Sequence, residues 1–132
     1  MKIEVNDKTK KFYLATDKWK PVVGHEIKVG KYKFCAIPIN DFVNVSEVTS
    51  GAKVFNIPMT SEIIIGTQSK DDSMRFLKKI GESLSRIISS IDNFDTHIEK
   101  MKKIAFERLG EMPPIENVDM DWVFEDVSDV LN

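Results

Sequence analysis

The feature that most limits what this chain can become is the run LKKIGESLSRIISSIDNFDTHIEKM, residues 77–101. Leu77, Ile80, Leu84, Ile87, Ile91, Phe94, Ile98 and Met101 follow one another at alternating steps of three and four, the a/d spacing of a heptad seam. A stripe that long has to be covered. Either it packs on the protein's own sheet or it forms the seam of a homodimer, in which case these eight residues are the dimer contacts. In its middle stand Ser89, Ser90, Asp92, Asn93, Asp95 and Thr96, each weaker than Ala inside a helix by roughly 0.5 kcal/mol. One long or merely kinked helix tolerates them if the seam finds a partner. A break would give two helices, with Asp92, Asn93 or Asp95 as the second N-cap, Gly110 as its C′ residue and Pro113 and Pro114 beyond. The spacing favours the continuous or kinked helix, and the hairpin stays open beside it.

Residues 1–66 have a different period. KIEVN and KFYLAT alternate apolar and polar residues around NDKTK and read as a hairpin. HEIKV and YKFCAI flank Gly30 and Lys31, where glycine in the first position suits a type II′ turn. FVNVSEV, AKVFNI and EIIIG read as further strands separated by TSG and PMTS. Short strands at this spacing make an antiparallel, strongly twisted sheet or a partly open barrel, with Pro38 and Pro58 at strand ends or edges. The switch to helix at residue 69 is sharp, because Ser69 and Asp72 form a capping-box-like start. The expectation is therefore one α+β domain over residues 1–132. A β-rich sheet (1–66) precedes a long or kinked amphipathic helical segment (69–110) and a short acidic amphipathic helix (115–132).

No apolar run approaches the ~20 residues that span a bilayer, so no membrane partner is expected. The start, MKIEVNDKTKK, has no apolar core of a signal peptide. A lone cysteine, Cys35, suits a reducing compartment and a small buried hydrophobe, and the expected location is cytoplasmic.

Charge is strongly polarised along the chain: residues 1–35 carry nine Lys and four acids, whereas residues 111–132 carry seven acids and no base. This polarity concerns partners rather than fold. Lys8, Lys10, Lys11, Lys18, Trp19, Lys20, Lys31 and Lys33 mix cations with aromatics as a single-strand-binding sheet does. Simple alternation, with aromatics in the core and Lys in water, explains the same pattern. At the other end Asp119, Asp121, Trp122, Phe124, Glu125, Asp126 and Asp129 form either a docking element for a basic partner groove or a strap over the protein's own core.

Reaction chemistry finds no foothold. His25, His97 and Cys35 lie on different elements with no zinc-like spacing, and no nucleophile elbow or phosphate loop occurs. Asp71 and Asp72 are explained by helix capping. No catalytic residue, metal or cofactor is expected.

The stretch from Tyr32 to Gly81 resembles the middle of small phage and mobile-element accessory proteins of Gram-positive bacteria. The resemblance is carried by Val45, Ser46, Glu47, Val48, Thr49, Ser50 and Gly51, a strand running into a turn, and by Ser69 and Lys70 at a capped helix start. It implies a small anti-defence-like protein that binds and modulates a host or phage component. The expected function is that of a non-catalytic protein-binding modulator or inhibitor. Nucleic-acid binding through the Lys-rich sheet, or immunity-type inhibition of a toxin by the acidic segment, is the alternative.

Overall fold

The alternating first half forms five strands, β1 (Ile3–Ala15), β2 (Trp19–Val29), β3 (Tyr32–Ile39), β4 (Phe42–Glu47) and β5 (Lys53–Pro58). In the computed structural model, which describes residues 1–117, they pair as an antiparallel meander. A two-residue strand, β6 (Glu116–Asn117), adds to the outer side of β1, giving the order β5-β4-β3-β2-β1-β6. The start of the expected acidic helix is thus strand. Residues 118–132, with the docking positions Asp119, Asp121, Trp122, Phe124, Glu125, Asp126 and Asp129, lie outside the described residues.

The hairpin expected at NDKTK is absent. β1 runs through it as one strand with a register irregularity between Val5 and Thr9. The polar residues leave the ladder locally instead of turning the chain: the Asn6 side chain accepts from the Lys8 N–H at 3.0 Å, and the Asn6 backbone carbonyl meets His25 Nδ1 at 2.9 Å. The β2–β3 hairpin does turn at Gly30, whose φ of +61° is the value a type II′ first position requires.

The sheet carries apolar clusters on both faces. On one, Phe12, Leu14, Val22, Cys35, Ile37 and Val48 are buried together. The Ala15 N–H bonds to the Gly51 carbonyl at 2.9 Å, so the far end of β1 meets the β4–β5 turn and the sheet curls. On the other face Ile27, Val29, Phe34 and Val45 receive the helices.

EIIIG does not add a strand. Residues Ser61–Ile65 form a single helical turn, α1, because Thr60 Oγ1 caps the Ile63 N–H at 3.3 Å and Glu62 sits in the first turn. The heptad run begins as read, with Ser69 capping Asp72 N–H at 3.1 Å and opening α2 (Lys70–Ser90). It then divides. Asn93 takes a left-handed φ of +53° and caps α3 (Phe94–Leu109), which closes at Gly110 with φ +81°. The continuous or kinked helix that the spacing favours does not form: the left-handed Asn93 cap interrupts it, and two separate helices describe the chain.

Helix α2 buries Leu77, Ile80, Leu84 and Ile88 on the sheet, and Gly81 lets it approach. A Cβ there would stand 2.5 Å from Ile3 Cγ2 and 3.3 Å from Ile27 Cγ2. Helix α3 is held at its start by Phe94 and at its end by Trp19, which packs edge-on against Phe106 with centroids 5.6 Å apart and donates to the Gly110 carbonyl at 3.3 Å.

Candidate functional site

The break divides the eight seam residues into two kinds. Leu77, Ile80, Leu84 and Phe94 are buried in the protein's own core. Ile87, Ile91, Ile98 and Met101 are half-buried and line a cavity of about 210 Å³ between the two helices and the β4–β5 turn. A dimer seam built from all eight would need four side chains that the monomer already buries.

The cavity is apolar inside, with Val54 and Phe94 completing its wall, and polar at Glu47, Ser50, Lys53 and His97. Glu47 is buried, and its carboxylate is held by the turn beneath it. It accepts from the Thr49 and Ser50 N–H groups at 2.9 and 2.8 Å and from Thr49 Oγ1 at 2.8 Å. Its charge is therefore turned inward, whereas Lys53 is exposed and His97 stands exposed on α3. The turn itself is the V-S-E-V-T-S-G segment, so that pattern is explained by a buried carboxylate organising three donors.

Strand β5 is the sheet edge beside this cavity. The Met59 N–H bonds to Asp41 O at 2.8 Å, and hydrogen-bonded pairs alternate in an antiparallel ladder. Phe55 and Ile57 therefore bond inward to β4, and Asn56 points its N–H out. Lys53 at one end, the register shift beside Val54 and Pro58 at the other leave little of the edge able to pair. These are the devices by which edge strands resist adding another strand.

Beyond Pro58 the surface changes character. Phe42, which pairs with Pro58, is 42% exposed. Ile64 and Ile65, on α1 directly after β5, are 50% and 68% exposed. Two adjacent large aliphatic side chains are thus held in water on an ordered, capped turn, whereas Met1 and Ile104, the other exposed large aliphatic residues described, stand apart in the sequence. The sequence carried a signal for that turn, since Thr60 before Ser61 and Glu62 is a helix-start pattern. The three consecutive isoleucines pointed to a strand instead.

The candidate nucleic-acid residues do not share one surface. Ladder register puts Lys10, Lys20 and Lys33 on the face of Phe12 and Cys35, and Lys11 and Trp19 on the opposite one. Lys10 pairs with Glu26 at 3.4 Å, Lys31 with Asp95 at 2.7 Å, and Lys11 lies over the Tyr13 ring at 5.7 Å. Lys8 and Lys18 are exposed at the bulge and at the β1–β2 turn. Of the aromatics, Phe12 and Phe34 are buried, Trp19 packs on Phe106, and Tyr32 packs on Phe94.

Electrostatic shifts are local. Lys31, and then the Tyr32 hydroxyl, hold the Asp95 carboxyl below its ordinary range. Burial pushes the Cys35 thiol up to about 12, so it is a packed apolar group and not a nucleophile. Among the described residues no group of three or more His, Cys, Asp or Glu side chains could hold a metal ion, and no helix is long and apolar enough to cross a membrane.

Compared with known proteins, the chain matches no family model, and neither a curated protein nor a solved structure matches it.

Proposed function

We propose that the chain is a non-catalytic binding protein that modulates a protein partner by contact, in the manner of the phage and mobile-element accessory proteins that its turn and helix cap resemble. The observation that carries the proposal is the exposure of Ile64 and Ile65 on α1, with Phe42 exposed on β4 beside Pro58. Single exposed apolar residues are ordinary, but two adjacent isoleucines at half exposure or more on a one-turn capped helix are left largely uncovered by the described residues. Protein contact suits this surface better than nucleic acid, because the basic residues are spread over both faces and most neighbouring aromatics are occupied within the fold. The buried, protonated thiol of Cys35 is compatible with the cytoplasm.

The test is affinity capture from a Gram-positive host lysate with the wild-type chain and with the Ile64→Asp/Ile65→Asp variant in parallel. Both side chains are exposed, so the variant keeps the wild-type melting temperature. A protein retained by the wild type and lost from the variant supports the proposal. Identical captures by the two chains overturn it.

A further inference from the structure

The cavity of about 210 Å³ between α2, α3 and the β4–β5 turn is walled by Val54, Ile87, Ile91, Phe94, Ile98 and Met101. We propose that it is a binding site for a small apolar carboxylate, whose hydrocarbon body lies against that wall and whose carboxylate meets Ser50, Lys53 and His97.

Size sets the class of ligand. An apolar cavity of about 150 Å³ already accepts a benzene ring, so 210 Å³ takes a ring and a short arm. It is smaller than the roughly 300 to 1,000 Å³ of pockets that hold drug-sized molecules. Its walls are fixed before any ligand arrives, because Phe94 rests on Tyr32 and Phe34 with ring centroids 4.8 and 6.3 Å apart, and the Glu47 carboxylate braces the β4–β5 turn from within. A site already in shape does not lose affinity to ordering its own side chains.

The polar groups of the lining decide the charge, and donors predominate among them. Ser50 is buried, at 1% exposure; its Oγ accepts from the Ala52 N–H at 3.1 Å, and its hydroxyl proton finds no acceptor among the described residues. Lys53, at the start of β5, forms no ion pair among the described residues and offers only N–H groups. His97, whose ring centroid lies 5.9 Å from that of Phe94, carries at least one ring N–H in either charge state. Glu47 is the one acid of the lining, and its oxygens already accept from Thr49 Oγ1 and from the Thr49 and Ser50 N–H groups. A ligand that brings acceptor oxygens relieves the unmet Ser50 proton, since a buried polar group without a partner bears its desolvation cost. A carboxylate also meets the Lys53 ammonium in a charge-assisted bond, the stronger kind.

Three probes share one ring and differ in charge: phenylacetate, toluene and benzylamine. Each is titrated into the isotope-labelled full chain, and the amide chemical shifts of Ala52, Lys53, Ile91 and Ile98 are followed. Phenylacetate should give saturable shifts there in the millimolar range or below, with an affinity several-fold tighter than that of toluene and tighter still than that of benzylamine. Lys53 is exposed, so Lys53→Gln keeps the fold; it should weaken phenylacetate several-fold and leave toluene unchanged. No saturable shift at these amides with phenylacetate overturns the proposal. Benzylamine binding as tightly as phenylacetate overturns it too, because Glu47 would then govern the site. So does a phenylacetate affinity that equals that of toluene or that Lys53→Gln leaves unchanged. The titration needs no protein partner, so its result is independent of the Ile64 and Ile65 surface.

Discussion

Tyr32 and Phe94 meet edge to face, with ring centroids 4.8 Å apart and planes at 81°, and this contact anchors the chain where the heptad run breaks. Asn93 turns the backbone into the left-handed region. Phe94 then drops onto Tyr32 and Phe34, while Asp95 accepts from Tyr32 Oη at 2.8 Å and pairs with Lys31 at 2.7 Å. Three consecutive residues of poor helix propensity thus become a cap, a core anchor and a tie to the β2–β3 hairpin.

Phe94→Ala should lower stability by about 3 to 5 kcal/mol, the usual loss for a buried phenylalanine, read as a large drop in urea midpoint. Asn93→Gly should change it by only a few tenths, since glycine accepts the same φ and is a tolerable N-cap. Asn93→Val should cost more than about 1 kcal/mol, because a β-branched residue resists the left-handed region.

Gly81→Ala would normally strengthen a helix by about 1 kcal/mol. Here the added methyl meets the stiff Ile3 side chain at 2.5 Å, and overpacking of that kind costs roughly 1 to 3 kcal/mol. The net effect is destabilisation. Combining it with Ile3→Ala should recover part of the loss, and a double-mutant cycle by chemical denaturation measures the coupling.

Glu47→Ala strips the acceptor from the Thr49 and Ser50 N–H groups in a buried turn. Roughly 2 to 3 kcal/mol should be lost, since orphaned buried donors bear their full desolvation cost. Glu47→Gln, which keeps one acceptor oxygen, should lose less. Thermal melts of the three proteins test the order.

The Cys35 thiol, pushed up to about 12 by burial, should resist aromatic disulfide reagents at pH 8 in the native chain and react once urea unfolds it. The unfolded thiol ionises near ~8.5. Because the folded pKa is the higher one, its contribution to stability is complete below ~8.5 and is lost as pH rises toward 12. Cys35→Ala should flatten that part of the pH–stability curve.

Local chemistry made much of the fold legible. Ser69, Gly30 and Gly110 act as cap, turn and stop where the sequence put them, because each role depends on a residue's own hydrogen bond or φ. Elsewhere tertiary context decided. NDK resembles a turn, yet pairing of β1 with β2 on either side carries the strand through it as a bulge. Three isoleucines resemble a strand, yet Pro58 and the Thr60 cap favour a helical turn. The seam's spacing was readable. Its division into core and cavity lining was not, because that depends on where α3 crosses the β4–β5 turn, a relation between residues about forty apart in sequence.

Hydrogen exchange of the captured complex, followed by mass spectrometry, tests the contact surface most directly. Partner binding should slow exchange over residues 53–66 and around Phe42 and leave residues 8–20 as they are in the free chain. Protection confined to residues 8–33, or to α2 and α3 with residues 53–66 unchanged, would contradict it.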